Sequence, residues 1–361
     1  MRVMTYLIEP PRVAIIGAGI AGAACAAGLL RAGFDVMAFD KSGAVGGRMA
    51  TRRAPWTPAD GSGRSVEFDH GAPHISASRP RLRAVLARAQ ALGHATPWRE
   101  RVYAQFPGLR FYDRWLPVPD MPTLCRHLLS DVPLRLGSTV MRLHRTGEGW
   151  QLVLADGDAT GPFDQVVVAT PAPQAALLLA GHDDEWANAL ADVPMAPCWT
   201  LMAVTDDVDW PWDAAELQHG PLAKVARNDR KPGRCAATGL AHWVAHATTA
   251  WSEGHLEDDP ADISDALCAE LSKLLPSGQP LTWHHRSVHR WRYASPEHQV
   301  RDGSDCLWNA ALGLGVCGDA FGDGTVQAAW CSGDELADTI AAGLDDESLS
   351  SAIESVAQAV H

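Results

Sequence analysis

The chain has 361 residues, 43 acidic against 30 basic side chains and a formal net charge of −13, with 47% hydrophobic and 20% charged residues. This length predicts two closely packed domains or one large α/β unit, and the composition excludes collagen-like, coiled-coil and disordered chains. The negative charge repels phosphate backbones and anionic lipid surfaces, so we expect neither nucleic acid nor a membrane as a partner.

The eight cysteines are spread along the chain without a C-x-x-C pair, unlike those of a secreted disulfide scaffold. They indicate reduced thiols in a cytoplasmic protein. The stretch that comes nearest to a targeting segment, residues 13–30, is broken by glycines and is too short to span a bilayer.

The first predicted unit is a strand, a helix and a second strand near the amino terminus. Residues 12–17 form a short β-branched run, an Ala-rich and Leu-rich helix is predicted over 20–32, and residues 34–40 form the next strand. A unit of this size is typical of a βαβ crossover, so the sheet is predicted to be parallel.

The remaining periodicity predicts further helices and strands, with a change of character in the middle of the chain. Eight of the 14 tryptophans lie between Trp186 and Trp291, which indicates a second domain inserted into the first. Helices are predicted over 79–93, 121–130, 261–275 and about 325–344, and strands over 150–154, 163–170, 197–205, 281–293 and 314–318.

A glycine-rich turn joins the first strand to the first helix. Gly17, Gly19 and Gly22 form G-x-G-x-x-G, and Asp40 closes the next strand 18 residues after Gly22. Gly17 permits the tight turn, Gly19 lets a pyrophosphate approach the backbone, and Gly22 allows the helix to pack closely on the strand. An acid at position 40 accepts a hydrogen bond from an adenosine ribose hydroxyl and disfavours the 2′-phosphate of NADP. The pattern predicts a dinucleotide site.

Two further motifs favour FAD over NAD. Gly46 and Gly47 form a second glycine-rich turn after the ribose acid, and Arg48 adds a guanidinium that suits a pyrophosphate. Far downstream, Gly318-Asp319 lies between the end of a strand and a glycine-rich turn, and the last helix begins after this turn. Such a position can also bind a polar chain and an anionic atom.

The order of motifs resembles the renalase-like branch of the flavin amine oxidase superfamily. The segments that carry this resemblance are G-A-G-I-A-G, F-D-K-S, G-G-R-M-A-T-R-R, F-D-H-G-A, A-T-P, H-R-W-R-Y-A and the late G-D before a helix. The resemblance implies FAD as the cofactor. It implies phosphates at Gly17, Gly19 and Gly22, ribose at Asp40 beside Lys41, and the turn Gly46, Gly47 and Arg48 along the cofactor. It further implies adenine at the backbone of Val140, the ribityl or pyrophosphate region at Asp319, and the flavin pyrimidine edge at Val326 and Gln327.

The sequence differs from the family at two places that are expected to border the flavin. Pro73-His74 stands where family members tend to have Gln-Tyr, and the turn 318–324 lacks a tryptophan. His74 is a candidate flavin-side base or attachment point, with a structural histidine as the alternative. Trp291 and Tyr293 are predicted on one face of a strand, as the wall of a substrate cavity or as plain core.

Other groups of residues give weaker evidence for a functional site. His242 and His246 have the spacing of metal ligands on a helix, but no glutamate or third ligand accompanies them, so no metal is expected. Cys331 falls in a helical pattern, which favours a core residue over a flavin tether. Serine-hydrolase and P-loop motifs are absent from the sequence.

Together these observations predict an α/β fold with a Rossmann-like FAD-binding domain and a second, mixed-sheet and helix substrate domain. The predicted limits are 1–76, 131–182 and 296–345 for the FAD domain, 77–130 and 183–295 for the substrate domain, and 346–361 for an amphipathic tail. The resemblance implies an oxidase that passes hydride from a small reduced nitrogen-containing substrate of dihydronicotinamide type to flavin N5, with O2 giving H2O2. An amine oxidase or desaturase of the same superfamily and a non-catalytic FAD-binding protein are the alternatives.

Overall fold

The computed structural model describes residues 9–56, 64–104, 113–234, 239–275, 281–300 and 303–359. The strands are β1 (Arg12–Ile16), β2 (Asp35–Phe39), β3 (Arg52–Trp56), β4 (Arg64–Phe68), β5 (Ile75–Ser76), β6 (Ala95–Pro97), β7 (Val102–Ala104), β8 (Arg114–Pro117), β9 (Leu134–Arg135), β10 (Val140–Thr146), β11 (Gly149–Leu154), β12 (Ala159–Phe163), β13 (Gln165–Val168), β14 (Met195–Asp206), β15 (Ala214–Glu216), β16 (Leu222–Arg227), β17 (Leu240–Ala247), β18 (Trp283–Pro296), β19 (Leu307–Asn309) and β20 (Leu314–Val316). The α-helices are α1 (Ile20–Arg31), α2 (Pro80–Ala91), α3 (Thr123–Leu128), α4 (Ala172–Leu179), α5 (Asp184–Ala191), α6 (Thr249–Gly254), α7 (Pro260–Leu274) and α8 (Val326–Ala359).

The first sheet is the predicted parallel sheet, in the order β19-β20-β13-β1-β2-β9. All its neighbours pair in parallel except β19 and β20, which are antiparallel. Along β1, Val13 and Ile15 pack into one core and Ala14 and Ile16 into another, so both faces of the sheet are covered. This explains why the strand is a continuous apolar run without alternation.

The second sheet has the order β18-β14-β17-β16-β15-β7 and is antiparallel except for the pair β15 and β7. One face buries Trp199 and Trp243 with apolar residues of α7, such as Leu267. On the opposite face, Met202 packs with Phe68 of the β3–β4 hairpin. The hairpin therefore covers the second sheet, although its residues were assigned by sequence to the FAD domain, and the domain limits stay a prediction.

The predicted elements agree with the structure except at some ends and at one histidine pair. The helix predicted over 121–130 is shortened to α3, since Pro122 is the residue that precedes its first turn. Helix α8 continues through Ala359, so residues 346–359 of the predicted tail extend it, and the last two lie outside the described residues. His242 and His246 lie on strand β17, which corrects the helical spacing considered for a metal pair.

Neither a bilayer-spanning helix nor a metal cluster is found in the part of the chain that the structure describes. None of its helices is both long and apolar enough to cross a membrane. No group of three or more His, Cys, Asp or Glu side chains is placed to hold a metal ion there.

Helices α1 and α8 pack so closely that glycine is required between them. A Cβ built on Gly333 would lie 2.0 Å from the carbonyl oxygen of Ala21, and one on Gly28 would lie 2.5 Å from the Cβ of Ala337. Both separations are below van der Waals contact, so a larger residue at either glycine forces α8 away from the helix that follows the glycine-rich turn.

We predict that Gly333→Ala lowers the free energy of unfolding by about 1–3 kcal/mol, because it overpacks the α1–α8 contact. Gly343, in the same helix, has open space around it and serves as the matched control. Gly343→Ala is expected to be neutral or stabilising by up to about 1 kcal/mol, through helix propensity alone. Urea unfolding measures both, and equal effects of the two substitutions would contradict the close-packing account.

Candidate functional site

The two glycine-rich turns lie against each other, and we call residues 17–22 and 46–48 the glycine cradle. Gly19 and Gly46 form an isolated β-bridge, and a Cβ on Gly22 would lie 1.9 Å from the carbonyl oxygen of Gly17. By contrast, nothing lies within 4 Å of a Cβ built on Gly19. Gly22 is thus required for packing, whereas Gly19 leaves space in front of the backbone.

Asp40 is fixed beside the cradle by backbone amides. Its carboxylate accepts from the amides of Ala18 and Ser42, both at 2.8 Å. Its carbonyl oxygen accepts from the amide of Ser138 at 2.8 Å, which brings the start of β10, with Val140, alongside. Lys41 reaches the Gln174 side chain at 3.5 Å on the exposed rim.

Arg48 and Asp319, which are far apart in the sequence, form a bidentate ion pair. Both Nη–Oδ distances are 2.6 Å, and Arg48 Nη1 also donates to the carbonyl oxygen of Ala294 at 3.1 Å. The Asp319 side chain is 5% exposed and that of Arg48 29% exposed. A planar guanidinium matches a carboxylate in this way, so the pair locks the second glycine turn to the end of the first sheet.

The cradle fits an FAD pyrophosphate on three observations. Helix α1 begins without a side-chain cap, so the amides of its first turn are available to an anion. The space at Gly19 is open. The Thr170 hydroxyl is buried without a hydrogen-bond partner among the described residues, and its methyl group would lie 3.6 Å from a Cβ on Gly17. Sequence analysis did not single out Thr170, although it is the middle residue of the A-T-P segment.

Gln327 has a role that its sequence position did not predict. Its side-chain oxygen accepts from the amides of Ser78 at 2.6 Å and Arg79 at 2.9 Å, at the start of α2. The flavin contact of Gln327 stays a prediction. Val326, the first residue of α8, packs at the edge of the first core.

The residues that follow the β3–β4 hairpin form a tightly held segment, which we call the 71–74 loop. His246 Nε2 lies 2.8 Å from the carbonyl oxygen of Gly71, and Lys231 Nζ donates to the carbonyl oxygen of Pro73 at 2.9 Å. Lys231 also lies over the ring of Trp98, 5.5 Å from its centroid. The loop is thus fixed to the second sheet and to the loop after β16.

A buried ion cluster anchors this arrangement. Asp69 binds Lys231 Nζ at 2.9 Å and Arg234 Nε at 3.0 Å, and all three side chains are fully buried. Burial alone would raise the pKa of the Asp69 carboxyl, but the two cations lower it below its usual range. Sequence analysis missed Lys231 and Arg234, because nothing local marks a cation that is paired across more than 160 positions.

A small, partly open cavity lies next to the 71–74 loop. Its polar lining consists of His74, Arg114, Glu216, Lys224 and His246, with Trp98 as an aromatic wall. Strand pairing collects three of these, since Glu216 is opposite Lys224 and Lys224 is opposite His246. Directly opposed residues of an antiparallel pair point to the same face, so the three form a polar row.

The histidines around the cavity are neutral at physiological pH. Burial lowers the pKa of His74 well below its usual value, and the cations Arg114 and Lys224 lower it further. Burial likewise lowers the pKa of His246 to about 4 and that of His70 to about 4. A neutral imidazole both donates and accepts, so these rings offer hydrogen bonds and no positive charge.

Trp291 and Tyr293 do not line this cavity. The Trp291 indole donates to the carbonyl oxygen of His70 at 3.0 Å and stacks on the His70 ring, so it supports the segment before the 71–74 loop. Tyr293 is 40% exposed and lies where the β14–β18 register shifts, so strict alternation does not fix its side. Arg290 and Arg292, on the other face, both bind Glu257.

We predict that His246→Gln reduces the acid sensitivity of the fold. The pKa of His246 is about 4 in the folded protein against an ordinary 6.5, so between these pH values the unfolded chain binds a proton that the folded chain excludes. Stability therefore falls as pH falls through this window. A glutamine keeps an N–H donor for Gly71 and removes the titration.

Urea unfolding at pH 7.5 and pH 5 tests this. The parent should lose about 2 kcal/mol more than the His246→Gln variant between the two, at about 1.4 kcal/mol per pH unit below the unfolded pKa. His219→Gln, at an exposed site, should lose as much as the parent. A variant that is as acid-sensitive as the parent would contradict the neutral His246.

We predict that Lys231→Met destabilises the protein by about 3 kcal/mol, because it removes one partner of a buried ion cluster while Arg234 continues to compensate Asp69. Lys273 pairs with Glu270 on the surface, so Lys273→Met is a matched control with an expected loss below about 1 kcal/mol. Denaturant unfolding at neutral pH measures both. Similar small losses would show that the cluster does not anchor the fold.

Comparison with protein families gives two matches along the chain. Residues 15–89 match the NAD(P)-binding Rossmann-like domain, which contains the glycine cradle and Asp40. Residues 113–341 match the flavin containing amine oxidoreductase family, which covers the cavity residues of the second sheet and Asp319. The two matched ranges together include both partners of the Arg48–Asp319 pair.

Similar proteins agree with these matches. Renalase of Mus musculus is 25% identical over 307 residues, which are 81% of this chain and 87% of renalase. Cyclohexylamine oxidase from Brevibacterium oxydans IH-35A has a TM-score of 0.70 at 14% identity, over 93% of this chain and all of that one. Putrescine oxidase bound to putrescine has a TM-score of 0.66 at 12% identity, over 92% of this chain and 99% of that one.

The two solved structures establish the fold alone, and the family match carries the function. It covers more than half of the chain and includes the residues that hold the second glycine turn in place. The α/β fold, the Rossmann-like unit and FAD, each predicted from the motifs, are confirmed. The chain belongs to the flavin-containing amine oxidoreductase family and is an FAD-dependent oxidoreductase.

Proposed function

We propose that the protein is an oxidase of small reduced nitrogen heterocycles of the dihydronicotinamide type, with hydride passing to flavin N5 and O2 accepting the electrons to give H2O2. The observation that carries the proposal is the cavity beside the 71–74 loop, whose histidines are neutral and whose carboxylate is already paired. The resemblance of the motifs to the renalase-like branch and the similarity to renalase also support this proposal.

The roles of the chain follow from the geometry. Bound FAD supplies a two-electron hydride acceptor. The glycine cradle and Asp40 would bind its phosphates and ribose, and the Arg48–Asp319 pair would hold the pyrophosphate or ribityl region. The 71–74 loop would form one side of the flavin-facing cavity, because it is tied to the second sheet through His246 and Lys231.

The charges of the cavity favour a dihydropyridine over a protonated amine. Arg114 pairs with Glu216 at 2.6 Å and with Glu100 at 2.7 Å, so the cavity carboxylate is already engaged in an ion pair. The remaining charged side chain in the lining is Lys224, which repels an ammonium. A dihydropyridine already conjugates the hydride-donating carbon with nitrogen and requires no strong protein base, whereas an amine must first be neutral and aligned.

Amine oxidation is the second candidate, favoured by the position of Glu216 in the cavity lining. A substrate ammonium could replace Arg114 at this carboxylate, at the cost of the Arg114–Glu216 ion pair.

Anaerobic mixing of the FAD-loaded protein with NADH, NADPH, their 2-dihydro and 6-dihydro isomers, putrescine and cyclohexylamine tests the proposal. We expect at least one dihydronicotinamide to bleach the flavin absorbance and the amines not to do so. Readmission of O2 should restore the absorbance and release one H2O2 per flavin. Bleaching by the amines with none by any dihydronicotinamide would reject the proposal in favour of amine oxidation.

We predict that Asp319→Ala weakens FAD retention, because Arg48 loses both of its short carboxylate bonds and the cofactor loses an acceptor. Each unpaired buried polar group costs about 1–3 kcal/mol, which corresponds to about a 5-fold to 150-fold weaker affinity. Asp338 also pairs with an arginine, Arg81, but is exposed, so Asp338→Ala is the control. The flavin-to-protein ratio after dialysis should fall for Asp319→Ala alone, and full retention by that variant would contradict the placement of Asp319.

A further inference from the structure

We propose that Lys224 is the residue that selects the substrate, by binding an anionic group, a carboxylate or a phosphate, that the substrate carries. The inference deepens the proposed function and rests on it only for the identity of the reacting ring. Nothing in the motifs singled out Lys224, which follows an alanine in an ordinary-looking strand.

The position of Lys224 in the sheet directs it into the cavity. It lies on β16 between Glu216 of β15 and His246 of β17, and it is directly opposite each of them. Opposed residues share a face, so its ammonium group extends along the same side as the Glu216 carboxylate and the His246 ring. Lys224 is one of the lining residues, together with His74 from the 71–74 loop.

The ammonium group of Lys224 contributes to the pKa values of three neighbouring side chains. The ammonium contributes, after burial and Arg114, to the low pKa of His74, and after burial to that of His246. It also opposes the rise that burial produces in the pKa of Cys198. These three groups come from a loop and from strands β17 and β14, in agreement with the face that the strand register gives Lys224.

Lys224 is the one charged cavity residue without a partner in the described part of the chain. Glu216 and Arg114 bind each other, and Arg114 also binds Glu100. That group carries one net negative charge, and the cluster of Asp69 with Lys231 and Arg234 carries one net positive charge. Lys224 lies directly opposite Glu216 of the negative group but forms no ion pair with a described residue.

Lys224 is exposed, so an anion can reach its ammonium group, and the attraction falls as the salt concentration rises. The long stem of lysine allows the ammonium to meet either a planar carboxylate or a phosphate. The neutral His246 beside it donates its Nε2–H to the carbonyl oxygen of Gly71 and adds no second positive charge. The cavity therefore suits a substrate whose ring or ring substituent carries a negative charge.

Equilibrium titration of the FAD-loaded protein tests this without turnover. The unreactive probes form two matched pairs, nicotinate with nicotinamide for the carboxylate, and nicotinamide mononucleotide with nicotinamide riboside for the phosphate. Binding is followed by the flavin difference spectrum and by calorimetry. Lys224→Met removes the charge, Lys224→Arg keeps it, and Lys273→Met is the matched control on the surface.

We expect at least one probe with the anionic group to bind about 10-fold or more tightly than its partner without that group in the parent, in Lys224→Arg and in Lys273→Met, a preference worth about 1.4 kcal/mol. In Lys224→Met the preference should fall below about 2-fold, and the pair that shows it identifies the anion as carboxylate or phosphate. No preference in either pair, or a preference that survives in Lys224→Met, would overturn the inference. A Lys224-dependent preference together with no flavin bleaching by any dihydronicotinamide would instead reject the proposed function and leave this inference standing.

Discussion

The buried ion cluster of Asp69, Lys231 and Arg234 is the interaction on which the site depends. Asp69 directly follows β4 of the β3–β4 hairpin, and the two cations belong to the loop after β16. An unpaired charge at this depth would be costly, so the three groups are held together once the protein folds. Since Lys231 also binds the carbonyl oxygen of Pro73, the same cluster sets the position of the 71–74 loop.

The Arg48–Asp319 pair performs the corresponding task on the cofactor side. It joins the second glycine turn to the end of β20 and, through Ala294, to the end of β18 in the second sheet. The glycine cradle, the 71–74 loop and the cavity are therefore fixed relative to one another by charge-assisted contacts rather than by large apolar surfaces alone. Burial lowers the pKa values of His70, His74 and His246, so these histidines are neutral and add no positive charge next to the ion pairs.

The sequence predicts the parts of the fold that depend on local patterns. Residues 17–22 of the cradle lie within one βαβ unit and Asp40 directly follows it, and the G-x-G-x-x-G motif itself predicts the steric requirement at each of its glycines. The partners of Arg48 and Lys231 are 271 and 162 positions away, and no local pattern marks them. The polar row of Glu216, Lys224 and His246 depends on strand register. Residues Ala241–Ala245 of β17 are all buried, so that strand showed no alternation from which the row could be predicted.

The central claim is that the flavin ring borders the cavity next to the 71–74 loop, and a crystal structure of the FAD-loaded protein with nicotinate bound measures this most directly. The account predicts that the isoalloxazine ring forms one wall of the cavity and that nicotinate lies between that ring and the side chains of His74, Lys224 and His246. A flavin ring separated from this cavity by the 71–74 loop, with nicotinate bound elsewhere, would contradict it.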